Sequence, residues 1–239
     1  MRARRIFIGL LRGLSAWLSL TASLYAITET TATTTSSLSS LRYRGGVHNA
    51  FDRHALKPKQ LAALLKSLRS HSGWPQLDFD KDGFLICPDE TRFIGGSAAA
   101  RQLLSAAIDA PMAFDLESHH RTAHVAFARL SVPVQFRSLA SGRQINAFPL
   151  QLDFADFDAL QGDPEVRVAF DVGFVFLHEL AHGVWGLRDA HVETDKLGEC
   201  ERYINQIRRD LQLPERQQYA ARTRQYGLDA SGGPSSYAE

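Results

Sequence analysis

Apolar residues recur at helical spacing in "KPKQLAALLKSLRS", where Leu61, Leu64, Leu65 and Leu68 share a face and Pro58 sits near the start, so a helix is predicted there. "LDFDKDGFLICP" has apolar alternation on both sides of Asp82-Gly83, the pattern of a hairpin built on an Asp-Gly turn. In "GGSAAARQLLSAAID", Ser97 is a good N-cap, and Leu103, Leu104 and Ala107 line one side of a second helix. "AHVAFARLSVPVQF" and "INAFPLQLDFADF" alternate well enough to be strands, with Gly142 in the turn between them. From about Pro164 to Trp185 the chain is apolar on nearly all sides, which predicts a long buried helix capped by Asp163. "GLRDAHVETDKLG" breaks the pattern, and "ECERYINQIRRDLQL" restores a helical one until Pro214 stops it. No internal repeat interrupts this order. The class it predicts is α+β.

The two ends of the chain do not share this patterning. Arg2, Arg4, Arg5 and Arg12 precede an apolar run from Gly13 to Ile27, and no acidic residue comes before Glu29. A positive start and a short apolar stretch read as a secretory signal peptide over residues 1–26, with a cut after Ala26, although Leu24 stands where a small residue is preferred. The run is shorter than the roughly 20 residues that span a bilayer, so no stable membrane span is expected in the mature protein. Export to a periplasm or the exterior is the expectation. An organellar transit peptide and an uncleaved anchor are the alternatives. Residues 27–41 are a Ser/Thr-rich linker that cannot bury a core. A single folded body is expected over 42–230, followed by a flexible tail over 231–239.

Composition narrows the function classes only a little. The 239 residues are 44% hydrophobic and 22% charged with a net charge of +1, and no basic stripe stands out beyond the first dozen positions. No nucleic-acid partner is therefore expected. Two cysteines, Cys87 and Cys200, are too few for a disulfide framework and are either one bridge or two buried thiols. "DFDKDG" copies the opening of a calcium-binding EF-hand loop, yet that loop needs a helix on each side, and here a strand and Pro88 follow. The hairpin explains it with less.

The chemistry concentrates in "FLHELAHGVWG", residues 176–186. On a helix, residues four apart lie on one face with β-carbons about 5–6 Å apart. His178 and His182 are so placed, and can meet one tetrahedral zinc at about 2.0–2.1 Å each. Glu179 projects beside them, free to take a proton from a water that zinc acidifies. A solvated helix face is the bland reading. The apolar neighbours oppose it, because buried histidines and a buried glutamate need partners.

This stretch resembles the His-Glu-x-x-His zinc metallopeptidases, the zincins. The metzincin extension is missing, since Trp185 and Arg188 stand where its glycine and third histidine would be. The layout is instead similar to thermolysin-like, glutamate-ligated enzymes, with Glu201 lying 19 residues past His182. The downstream stretch also looks like the tail of bacterial effector and toxin zinc metallopeptidases, through Asn205, Ile207, Arg208, Leu211, Leu213, Pro214 and Arg216.

The resemblance implies a zincin-like fold: a small antiparallel or mixed sheet packed on the buried metal-binding helix, then a C-terminal helix bearing a ligand. It also implies bound Zn2+, a peptide or protein substrate, and Glu179 as the general base. The third ligand is expected at Glu201, then Glu199, then Glu193. Glu199 and Glu201 point about 200° apart on a helix, and Glu201 lies nearer the packed face of Ile204, Ile207 and Leu211. An extended substrate would pair with the strand within Ile145–Phe157. Tyr203, Arg208 and His191 have either transition-state or ordinary packing roles, and His119, His120 and His124 read as a polar loop. A non-catalytic zinc protein of the same fold, and a secreted binding module without metal, are the competing functions.

Overall fold

The computed structural model describes residues 44–137, 144–161, 164–190 and 195–217. The leader, the linker, Gly142, Asp163, His191, Glu193 and the tail lie outside the described residues. The elements in chain order are β1 (Gly46–Asn49), α1 (Pro58–Ser72), β2 (Asp78–Phe79), β3 (Leu85–Ile86), α2 (Ala98–Ile108), β4 (Ala113–His119), β5 (Ala128–Leu130), β6 (Val134–Arg137), β7 (Gln144–Asp153), α3 (Phe154–Ala159), α4 (Pro164–Val168), α5 (Val172–Trp185) and α6 (Gly198–Asp210). The class is α+β with a small mixed sheet.

Local chemistry starts and stops these elements. Pro58 opens α1, the Gln60 side chain accepts the Lys57 amide at 2.8 Å, and Gly73 in the left-handed region ends the helix. Ser97 caps α2 by accepting the amide of Ala100. In the β2–β3 hairpin the Asp80 carboxylate accepts from the amides of Asp82 and Phe84, both at 2.9 Å, so it is spent on the turn.

Two predicted boundaries are corrected. The strand through Phe157 ends at Asp153, whose side chain accepts from Ala155 and starts α3. The single helix predicted from Pro164 to Trp185 is two, α4 and α5. Asp171 makes the division: its carboxylate caps α5 through the amide of Phe174 at 3.0 Å, a role predicted for Asp163.

The main sheet runs β1-β4-β7-β5, with β6 also on β7. β1, β4 and β7 are parallel, while β5 and β6 lie antiparallel on successive stretches of β7, Ala128–Leu130 facing Leu152–Leu150 and Val134–Arg137 facing Ala147–Gln144. β7 is thus the central strand. Both of its edges are taken, so the expectation that it would receive an extended peptide is withdrawn.

Helix α5 packs on β5 and β7 and is flanked by α1, α2 and α6. Its Phe174, Phe176, Leu177, Leu180 and Ala181 are all buried, as an all-round apolar helix requires. Glycines allow the close approaches. A side chain at Gly183 would collide with the Phe114 ring, and one at Gly173 with Ser67 of α1. Among the described residues no helix is long and apolar enough to cross a membrane.

Candidate metal centre

The burial of α5 brings His178 to only 7% exposure and leaves His182, one turn on, half-buried on the same face. The helix ends at Gly186, whose φ of 65° is the left-handed turn that glycine adopts without penalty. The chain reverses there, with the Gly186 amide on the His182 carbonyl at 2.9 Å. The reversed segment docks on the first turn of α6. The Arg188 carbonyl accepts the amides of Glu199 and Cys200 at 2.8 and 3.1 Å, satisfying helix-start donors that otherwise lack partners. In return the Glu199 carboxylate accepts the Arg188 amide at 3.0 Å, and Asp189 bridges Gly198.

This turn delivers Asp189 to the two histidines. Its Oδ1 lies 2.9 Å from His178 Nε2 and 3.3 Å from His182 Nε2, and the two Nε2 atoms are 3.2 Å apart. Three donor atoms so spaced match the edge of a tetrahedron with metal bonds of 2.0–2.1 Å, about 3.3 Å. His182 is oriented to match: Nδ1 lies 2.6 Å from the Leu187 carbonyl and carries a proton, so Nε2 is the nitrogen that faces the cluster and would give up its proton to an ion. His178, His182, Asp189 and Cys200 form a group able to hold a metal ion. Within it the Cys200 Sγ lies 3.3 Å from His182 Nδ1, and the four ligand atoms lie within 4.8 Å of one another.

Electrostatics follow from the crowding. Burial opposes a charge on His182, but hydrogen bonds to Asp189 and Cys200 outweigh it and raise its pKa to about 11. Burial likewise opposes the Asp189 charge, and the two histidines overcome it and hold its carboxyl well below the usual range. Without an ion, His182 and Asp189 therefore form a charged pair. Burial pushes the Glu179 carboxyl up, against the pull of His178 and His182. Glu179 is not a member of the donor set. Its Oε2 accepts the amide of Leu130 at 2.8 Å, so the edge strand β5 pins it beside the histidines.

Of the predicted third ligands, Glu201 and Glu199 are placed elsewhere, and Glu193 lies outside the described residues. Glu201 is 1% exposed, as its position on the packed face requires, but it lies behind His178, 3.7 Å from Nδ1. Its two oxygens are taken by Arg208 and Arg216, and it stands outside the group that could hold a metal. Asp189 occupies the place expected for it. Glu199 serves the loop that carries Asp189. Arg208 is buried with Glu201, and Tyr203 donates to the Ala99 carbonyl at 2.6 Å, so both have packing roles. His119 pairs with Glu117 at 3.3 Å and stacks on His54, while His120 and His124 are exposed. Cys87 and Cys200 are free thiols.

Asp189 and Cys200 are the members of this group that the histidine spacing does not point to. Gly186 directly after the apolar run, with an acid three positions beyond, is a helix stop that turns a carboxylate back toward the last turn. Comparison with known proteins adds no family: no family model, curated protein or solved structure matches this chain.

Proposed function

We propose that this chain is an exported zinc metallopeptidase of the zincin type, with His178, His182 and Asp189 as ligands and Glu179 as general base. One observation carries the reading: three convergent donor atoms within 3.3 Å of one another, with a half-buried carboxylate held next to them. Two imidazoles and a carboxylate leave a fourth tetrahedral position for water or substrate, the pattern of catalytic zinc sites. Zinc there would polarise a peptide carbonyl and acidify a water. Glu179 would accept a proton from that water as the water oxygen bonds to the carbonyl carbon, and return it to the amine nitrogen as the C–N bond breaks. Burial raises the Glu179 pKa, which makes the carboxylate a stronger base toward that water. The Leu130 amide keeps one oxygen in place and leaves the other for the proton.

Glu179→Gln separates this reading from a zinc protein without activity. The variant should retain one zinc per chain, because no ligand is touched, and should lose peptide cleavage by about 10²–10⁴-fold. Zinc content by elemental analysis and turnover of a generic protein substrate are the measurements. A variant that cleaves as fast as the parent refutes the mechanism. A parent that binds zinc and cleaves nothing points to the non-catalytic alternative, which the nearness of Cys200, a possible fourth donor that would close the site, favours.

A further inference from the structure

Consecutive residues of α6 approach the Nδ1 atoms of the two histidines: Cys200 at 3.3 Å from that of His182, and Glu201 at 3.7 Å from that of His178. Neither sits in the trio of converging atoms. Glu201 is nonetheless a carboxylate in a fully buried place, which requires a reason beyond solvation. Two arginines compensate its charge. Arg208 donates to Oε1, and Arg216 donates to Oε2 at 3.2 Å, the same oxygen that faces His178 Nδ1 at 3.7 Å. Both arginines are themselves tied down. Arg208 Nε donates to the Ala169 carbonyl, two residues before the cap of α5, at 2.9 Å. Arg216 is held by its backbone, its amide on Asn205 Oδ1 at 2.9 Å and its carbonyl on Asn205 Nδ2 at 2.7 Å. The carboxylate is therefore fixed from two directions and faces one edge of a ring whose other edge faces Asp189.

We infer that Glu201 is a positioning residue for the metal site, holding His178 in the tautomer with Nδ1 protonated and Nε2 presented to the metal, and that the segment after α6 sets its aim through Arg216. At 3.7 Å the pair is longer than a hydrogen bond, so the carboxylate acts through its charge, which favours the proton on the nearer nitrogen. Loss of a carboxylate behind a metal-binding histidine costs up to about 10–100-fold in metal affinity or activity. The inference rests on the zinc reading above and adds the residues that orient the first histidine.

The test is zinc affinity of the full chain by chelator competition, with the absorption spectrum of the cobalt-substituted protein as a reporter of ligand geometry. Glu201→Gln leaves two buried arginines poorly compensated, so the charge-balanced double variant Glu201→Gln/Arg216→Met is measured beside it. Zinc affinity about 10–100-fold weaker in the folded double variant, with a changed cobalt spectrum, is the expected result. Arg216→Lys, which keeps the charge at Oε2, should restore most of the affinity lost in Arg216→Met. Unchanged affinity and spectrum in a folded double variant overturn the inference and leave Glu201 a structural counter-ion, with the zinc reading intact. A parent that binds no zinc overturns both.

Discussion

Asp189 is the residue on which the ligand assignment turns. Asp189→Ala should lose zinc as completely as His178→Ala or His182→Ala, whereas Glu199→Gln should keep it; elemental analysis after dialysis decides. Sequence makes His178, Glu179 and His182 legible because one turn of helix fixes their relation whatever the rest of the chain does. It does not reveal Asp189, because that residue lies in an irregular stretch whose path depends on docking against α6. The burial of Glu201 is legible too, from its place beside Ile204 and Ile207 on the packed face. Its partner is not. A buried carboxylate is satisfied equally by a metal or by arginines, and Arg216 arrives from beyond the helix.

Helix α5 is held at both ends by polar contacts that periodicity cannot show. At its start Asp171 accepts Ser67 Oγ at 2.6 Å and lies 2.9 Å from His71 Nε2, so α1 and α5 are clamped together. The two contacts to His71 use the same ring nitrogen, since Ser67 Oγ is also 3.1 Å from Nε2, so this is no nucleophilic relay despite its residue types. Burial works against the Asp171 charge, and the hydrogen bonds from His71, Ser67 and the Phe174 amide overcome it, holding the carboxyl below its usual range. A carboxyl with a depressed pKa in the fold contributes stability above its unfolded value, near pH 4, and loses it as pH falls through the folded value. Asp171→Ala should therefore cost about 1–2 kcal/mol at pH 7, and the gap from the parent should narrow in strong acid. Urea unfolding at the two pH values measures it. At the far end, Gly198 has a φ of 74° and touches the backbone of Ala190 too closely for any side chain. Gly198→Ala should push the Asp189 loop off α6 and weaken zinc retention with little change in the sheet, visible by chelator competition and circular dichroism.

For the whole molecule, the mixed class was legible from the succession of helical and alternating runs, while the sheet order was not. β1 and β4, the strands that build the parallel half, carry only short apolar alternation among polar residues, and their pairing with β7 is long-range. A metal bound only by the folded chain raises global stability by about 2.7 kcal/mol at one hundred times its dissociation constant. Zinc should accordingly raise the melting temperature of the parent and leave that of His178→Ala unmoved, a comparison that calorimetry makes directly. The left-handed turn at Gly186 has one more consequence, for the order of assembly. It brings the third donor back after 7 residues from His182, where a ligand at Glu201 would need 19. Closing the shorter loop costs about 0.9 kcal/mol less in chain entropy. A metal could then gather one helix and its turn before the strands find one another, so the ion would act as an early organiser of the chain as well as its reagent.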